Sequence, residues 1–308
     1  MNVLAIGGTG FIGKYVAVLL IEQGHRVAVV HRGSTTAGIP TDVHHIVGNR
    51  DALADLQDVT KFKPTVVLDV ICYTGLQAQE LMNVFRGVAV RVVALSSADV
   101  YRNYDGFRGK GTAPPDPVPL SEGAPLRETL YPYRGYGLPL DWADDYDKIL
   151  VERIVMSDTD LPGTVLRLPA IYGPRDKQNR VGAYLERMSA EQRVLMTREQ
   201  AAWRWTRGYV EDVAAAIVLA VVDDRATGRI YNVGDESALT EREWVGEIGK
   251  AIGWTGEVFQ ASEDLPEHHR QPFDFRYELM TDTKRIREEL GYKELVGRKE
   301  GLRRTVEW

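Results

Sequence analysis

The stretch that most constrains this chain is GGTGFIG, Gly7 to Gly13, in which Gly7, Gly10 and Gly13 recur at every third position. A short apolar run, Val3 to Ile6, precedes it and reads as a buried strand. An apolar-periodic stretch with Phe11, Ile12, Val16, Leu19 and Leu20 follows and reads as a helix ending at Gly24. Strand, glycine turn and helix in this order give the glycines a job. The first permits a tight turn, the second lets the backbone approach a pyrophosphate, and the third lets helix and strand pack closely. Backbone N–H groups at the helix start then face the phosphates. Gly7, Thr9, Gly10, Phe11, Ile12 and Gly13 are therefore candidate cofactor contacts. The alternative is a glycine turn without a ligand, and the flanking strand and helix argue against it.

A chain of 308 residues can hold one large α/β domain, or such a domain with a smaller lobe. The net charge of −6 argues against a nucleic acid or an anionic membrane as the main partner. The single cysteine, Cys72, excludes an internal disulfide and suits a reducing compartment, so a cytoplasmic location is expected. A first strand beginning near Asn2 leaves no room for a signal peptide. The apolar run Val16 to Ile21 is too short to span a bilayer.

Further strands are expected at Arg26–His31, Val43–Val47, Thr65–Ile71, Val90–Ser96, Gly163–Leu168 and Arg229–Val233. Helical patterns at about Gly75–Phe85, Trp142–Met156 and Glu211–Val222 alternate with them. This alternation predicts an α/β fold, a Rossmann-type doubly wound parallel sheet covered on both faces. Residues 102–141 break the rhythm, being rich in Gly, Pro, Tyr and Arg without a clear period. A loop that long is functional or disordered. From residue 178 the elements shorten, with helices expected near Val181–Met188, Thr240–Ile252 and Thr283–Leu290 and another near the end. The expected organisation is a dinucleotide-binding domain over 1–177, with 102–141 as an irregular insertion, and a smaller substrate lobe over 178–308 interleaved with it.

Six spaced motifs coincide: GGTGFIG at 7–13, SSADVY at 96–101, KILVE at 148–152, LRLPAIYGPRD at 167–176, GYVEDVAAAI at 208–217 and YNVGDESALTEREW at 231–244. Together they resemble the extended short-chain dehydrogenase/reductase family, in its NAD(P)-dependent epimerase/dehydratase group. The resemblance spans nearly the whole chain and implies an oxidoreductase of the epimerase, dehydratase or reductase type. An NAD site places an Asp or Glu at the end of the second strand. Here the residues are His31, Arg32, Gly33 and Ser34, and Arg32 offers a fork of donors suited to a phosphate. NADP is therefore expected, with NAD as the alternative. By resemblance, Asn49 lies near adenine, Cys72 and Tyr73 line the ribose and pyrophosphate, Ser96 belongs to the cofactor set, and Pro169, Ile171 and Tyr172 meet the nicotinamide amide. The alternative for Cys72 is a small core hydrophobe.

The family's chemistry uses a Ser or Thr, a Tyr and a Lys. Ser97 matches the hydroxyl and Lys148 the lysine that holds the ribose. The tyrosine should stand four residues before the lysine, and that position is Asp144. Residues four apart share a helix face, whereas residues two apart point to nearly opposite sides. Tyr146 therefore cannot join Lys148 unless the helix starts later than Trp142 or is distorted. Three readings stay open. Asp144 and Asp99, the latter at a position where family dehydratases carry a carboxylate, divide the acid and base roles. A tyrosine of the irregular segment, Tyr131, Tyr133 or Tyr136, supplies the hydroxyl. Or the activity is lost and the chain is an NAD(P)-binding sensor or interaction protein, as the resemblance to regulatory and chloroplast stem-loop RNA-binding relatives allows. Asp144 as a mere helix-start acid paired with Lys148 is the fourth possibility.

On the substrate side, Tyr133, Arg204 and Arg207 are candidate contacts for a small polar molecule, possible sugar derivatives included. Trp203 and Trp205, at strand spacing, read as packing. His268 and His269 beside Glu263, Asp264 and Glu267 read as solvated, and no metal site is expected. Relatives dimerise through two helices, here near 75–86 and 142–156, so a homodimer is an open expectation.

Overall fold

The computed structural model describes residues 1–33, 38–190, 193–260 and 272–308. Ser34 and the cluster at Glu263, Asp264, Glu267, His268 and His269 lie outside the described residues. The strands are β1 (Asn2–Ile6), β2 (Arg26–His31), β3 (His44–Val47), β4 (Val66–Asp69), β5 (Arg91–Ser97), β6 (Gly163–Leu168), β7 (Ala170–Tyr172), β8 (Arg193–Met196), β9 (Arg207–Tyr209), β10 (Ile230–Asn232) and β11 (Glu257–Gln260). Seven of them form one parallel sheet in the order β10-β6-β5-β4-β1-β2-β3. The short parallel pairs β7 with β9 and β8 with β11 stand outside it and were not anticipated.

Alternation along β1 sets the two faces of the sheet. Val3 and Ala5 pack with Val16, Leu20, Val213 and Ile217, from the helices Gly13–Glu22 and Val210–Val222. Leu4 and Ile6 pack with Leu81, Phe85, Val151 and Val155, from the helices Gly75–Phe85 and Lys148–Ser157. Each fully buried Leu, Val or Phe in these layers contributes roughly 1.5–3 kcal/mol. The chain order reverses between β1 and β4. In doubly wound sheets the ligand crevice opens at the carboxyl ends of the strands flanking such a reversal.

A buried polar network ties β5 and β6 together. Glu152 accepts from the Arg167 guanidinium at 2.7 Å and from Ser96 Oγ at 2.5 Å. Arg167 also donates to Tyr101 Oη at 3.0 Å, and Tyr101 donates to Asn232 at 2.6 Å. The expected helix over Trp142–Met156 is corrected. Ala143–Asp145 form only a 3-10 turn, and the α-helix runs Lys148–Ser157. The cause is Asp147, which is extended (φ −159°, ψ 105°) and caps the helix by accepting the Ile149 N–H at 2.8 Å. The segment 102–141 holds one short helix, Arg102–Phe107, and is pinned elsewhere by bonds such as Arg127 N–H to the Val100 carbonyl at 2.8 Å.

Candidate active site

The glycine turn lies at the carboxyl end of β1. Gly7 has φ +78°, which glycine adopts freely, and its N–H donates to the Val30 carbonyl at 3.0 Å. At Gly13 a Cβ would stand 2.5 Å from the Gly7 carbonyl oxygen and 2.7 Å from Gly8 Cα, so only glycine lets the helix approach the turn this closely. No side chain caps the helix start at Ile12. Thr9, Phe11 and Ile12 are half-buried and Gly10 is exposed, leaving an open cradle of backbone. Such an uncapped helix start suits a diphosphate.

At the end of β2, His31 Nδ1 accepts the Gly33 N–H at 3.0 Å, so the other ring nitrogen, Nε2, lies against His45 Nδ1 at 2.9 Å and carries the proton. Arg32 is exposed. Asn49 is exposed and spends its side-chain oxygen on the Asp51 N–H at 3.2 Å, capping the 3-10 turn Arg50–Asp55. Cys72 is wholly buried, with burial pushing its thiol up to about 12, which leaves it an inert core side chain. Its carbonyl, by contrast, accepts from Lys148 Nζ at 2.6 Å. Ser96 Oγ is buried against Glu152, so its side chain is committed to that network. Pro169 and Ile171 lie where β6 passes into β7, and the Ile171 carbonyl accepts from Arg180 at 2.9 Å.

Lys148 Nζ donates to two carbonyls, Cys72 at 2.6 Å and Leu95 at 2.8 Å. Burial lowers its pKa from the usual lysine range. The ammonium sits 4.8 Å from the Tyr73 ring and 5.8 Å from the Tyr146 ring. Ser97 is half-buried and its Oγ accepts the Asp99 N–H at 3.2 Å, which leaves its hydroxyl proton available to a substrate oxygen. Asp99 is buried, and desolvation raises its pKa against the lowering effects of Arg127, Tyr146 and Lys148.

The two candidates two residues apart have opposite fates. Asp144 is exposed, and its carboxylate accepts the Gly135 N–H at 2.9 Å. It holds a loop, not Lys148. Tyr146 is buried, and its hydroxyl donates to Asp99 Oδ2 at 2.8 Å. The late helix start achieves this, because Tyr146 precedes the helix and so escapes the helical spacing that would turn it away. An antiparallel bridge to Thr74 and the rings of Tyr133 (5.1 Å) and Trp142 (5.7 Å) hold it. Asp147 fixes the turn: its carboxylate accepts the Tyr131 N–H at 2.6 Å and lies 3.5 Å from Arg127, both side chains being wholly buried. Tyr133 reaches the same carboxylate, with its hydroxyl 3.4 Å from Asp99 Oδ2 and 3.0 Å from Tyr104 Oη.

The outer candidates do not converge. Arg207 is buried against Glu241 at 2.5 Å, so its charge is already neutralised, while Arg204 is half-exposed beside Glu278 at 3.5 Å. Trp203 stacks on Phe107 at 4.7 Å and donates to the Tyr277 carbonyl at 2.9 Å, which is packing. Tyr104, Arg127 and Asp147 were not foreseen as parts of the site. Asp147 carried a signal, since an Asp immediately before an apolar-periodic run is a helix start. Tyr104 and Arg127 carried none.

Residues 3–234 match the NAD dependent epimerase/dehydratase family. The chain belongs to that family. Its family relatives include a 2'-dehydrokanamycin reductase from Streptomyces kanamyceticus, 28% identical over 89% of this chain and 77% of the relative. A UDP-N-acetyl-alpha-D-glucosaminuronate decarboxylase from Bacillus cytotoxicus is 24% identical over 99% of this chain and 96% of its own length. Among solved structures, an epimerase from Methanothermobacter thermautotrophicus superposes with a TM-score of 0.75 at 20% identity, covering 100% of this chain and 91% of that one. The family's sheet and crevice are thus those described above, and the chain is an NAD(P)-dependent enzyme. No helix among the described residues is long and apolar enough to cross a membrane.

Proposed function

We propose that this enzyme is an NADP-dependent oxidoreductase of the epimerase, dehydratase or reductase type. It acts on a carbonyl or hydroxy group of a small polar molecule, a sugar derivative being the leading class, with Tyr146 as the proton-carrying group. The observation that carries the proposal is the Tyr146 hydroxyl, 2.8 Å from Asp99 and beside Lys148 although the family's tyrosine position holds Asp144. The bound dinucleotide supplies or accepts the hydride. Glycines 7, 10 and 13 with the N–H groups of the turn hold its diphosphate, and Ser97 directs its hydroxyl to the substrate oxygen. Tyr146 gives or takes the proton at that oxygen. Lys148, held by two carbonyls, keeps a positive charge next to the phenol as negative charge develops on it.

A preference for NADP is supported by the missing acid at the end of β2 and by the exposed guanidinium of Arg32. The sugar class is supported by relatives named for a dehydrokanamycin and for UDP-sugars. Titration calorimetry tests the first point: NADP binds more tightly than NAD, and Arg32→Ala weakens NADP by about ten-fold, or 1.4 kcal/mol, while sparing NAD. Equal affinities for the two would refute it. The proton carrier is tested by following NADPH oxidation with keto sugars as acceptors. Tyr146→Phe loses turnover and Asp144→Asn retains it; the reverse pattern would refute the assignment. A cytoplasmic enzyme that pairs through the helices Gly75–Phe85 and Lys148–Ser157 belongs to the same proposal, supported by Leu76, an 80% exposed leucine on the first of them. Sedimentation of the wild type against Leu76→Glu checks the pairing.

A further inference from the structure

We infer that Asp99, Tyr133 and Tyr104 form a proton relay that recharges Tyr146 from the segment 102–141. The inference rests on Tyr146 as the proton carrier. Four oxygen-bearing side chains are contiguous. Tyr146 Oη lies 2.8 Å from Asp99 Oδ2, Tyr133 Oη lies 3.4 Å from that same oxygen, and Tyr104 Oη lies 3.0 Å from Tyr133 Oη. The two phenols thus share one carboxylate oxygen, while Oδ1 is buried without a partner. The chain runs outward, with Tyr146 and Asp99 buried and Tyr133 and Tyr104 half-buried. Arg108 lies over the outer end, 4.8 Å from the Tyr133 ring and 5.9 Å from the Tyr104 ring, where a passing phenolate gains from a cation.

Two backbone carbonyls hold the Lys148 ammonium in place beside the inner end. Lys148, Arg127 and Asp147 surround the inner end, and Arg108 faces the outer end. Burial raises the pKa values of Tyr146, Tyr133 and Tyr104, so all three rest as phenols. Burial also raises that of Asp99, against the lowering effect of Arg127.

The protons balance. Tyr146 gives its hydroxyl proton to the substrate oxygen and becomes phenolate. Tyr133 passes its proton to Asp99 Oδ2, which hands it to Tyr146. Tyr104 then protonates Tyr133 and is itself reprotonated by water. One proton enters at Tyr104 for each that leaves Tyr146, and Asp99 ends as the carboxylate it began as. In the oxidative direction every step reverses.

The relay is testable without a substrate. The full-length protein is made with tyrosine labelled at the 13Cζ carbon and observed in an equal mixture of H2O and D2O. A hydroxyl that exchanges quickly gives one averaged ζ line, and one that exchanges slowly gives a resolved pair. Tyr146 is expected to show one line in the wild type and a pair in Tyr133→Phe. Tyr104→Phe, a milder change at the outer end, is expected to slow exchange in the same sense. A purely structural role predicts the opposite, since loosened packing speeds exchange. A single line that persists in both variants, or a pair already present in the wild type, overturns the relay. The turnover of Tyr146→Phe tests the underlying assignment separately and does not enter this spectrum.

Discussion

Two helix starts frame this site, and they are built in opposite ways. The helix Gly13–Glu22 begins without a side-chain cap, behind glycines that keep the backbone bare. The helix Lys148–Ser157 begins at Asp147, whose carboxylate is engaged by Ile149, Tyr131 and Arg127. At the first start Lys14, Tyr15 and Val16 donate to the Gly10 and Ile12 carbonyls, and no side chain adds a cap. The second is closed by the Asp147 carboxylate, and this late start leaves Tyr146 outside the helix and bonded to Asp99. On the proposed function, open main chain at one end and a closed cap at the other divide the labour between holding a coenzyme and aiming a proton donor.

The largest effect should come from what the closed start aims. Tyr146→Phe is expected to lower kcat by about three orders of magnitude, within the usual range for a general acid–base group. Asp144→Asn should leave kcat within about two-fold, as for an exposed residue away from the chemistry. Steady-state kinetics check both. Next is the cap itself. Asp147→Ala removes one of the buried carboxylates beside Arg127 and the helix cap, at a cost of about 3 kcal/mol in urea unfolding. If that variant is as stable as the wild type, the closed start is not what fixes the turn. The same experiment at the open start should read differently. Gly13→Ala forces a methyl against the Gly7 carbonyl, costing about 1–3 kcal/mol of stability, and it should weaken NADP binding as well. An unchanged affinity would remove the glycine turn from coenzyme binding.

The smallest effect is a slope. The folded-state pKa of Asp99 is raised by burial, so the native state holds that proton more tightly than the unfolded chain does. The contribution is fully present below the unfolded value, about 3.9, and is lost as pH rises through the raised folded value. Stability measured upward from about pH 4 should therefore decline less in Asp99→Asn than in the wild type. Parallel slopes would mean that Asp99 titrates as an ordinary surface carboxylate.

The sheet was legible because its signals are local. Apolar runs such as Val3–Ile6 and Arg26–His31 announce buried parallel strands, and each observed strand of the central sheet lies within two residues of where its pattern placed it. The glycine cradle was legible for the same reason. The proton site was not, since its decisive fact is a helix boundary, and boundaries are set by competition between a cap and the continuing pattern. Asp144, Asp145 and Asp147 could each have begun that helix. Asp147 is the one with buried partners, and Arg127 and Tyr131 reach it from a segment without periodicity. Tyr104 meets Tyr133 across 29 residues of the same irregular chain, and Tyr133 in turn reaches Asp99, contacts no spacing rule describes.

On the proposed function, the late helix start puts Tyr146, and not Asp144, at the reacting atoms. A crystal structure with NADP bound measures this most directly. The expected result has the Tyr146 hydroxyl beside the nicotinamide ring, still bonded to Asp99, with Asp144 at the surface on Gly135. A helix that extends back through Asp144, bringing that carboxylate to Lys148 and turning Tyr146 away from the ring, would contradict it.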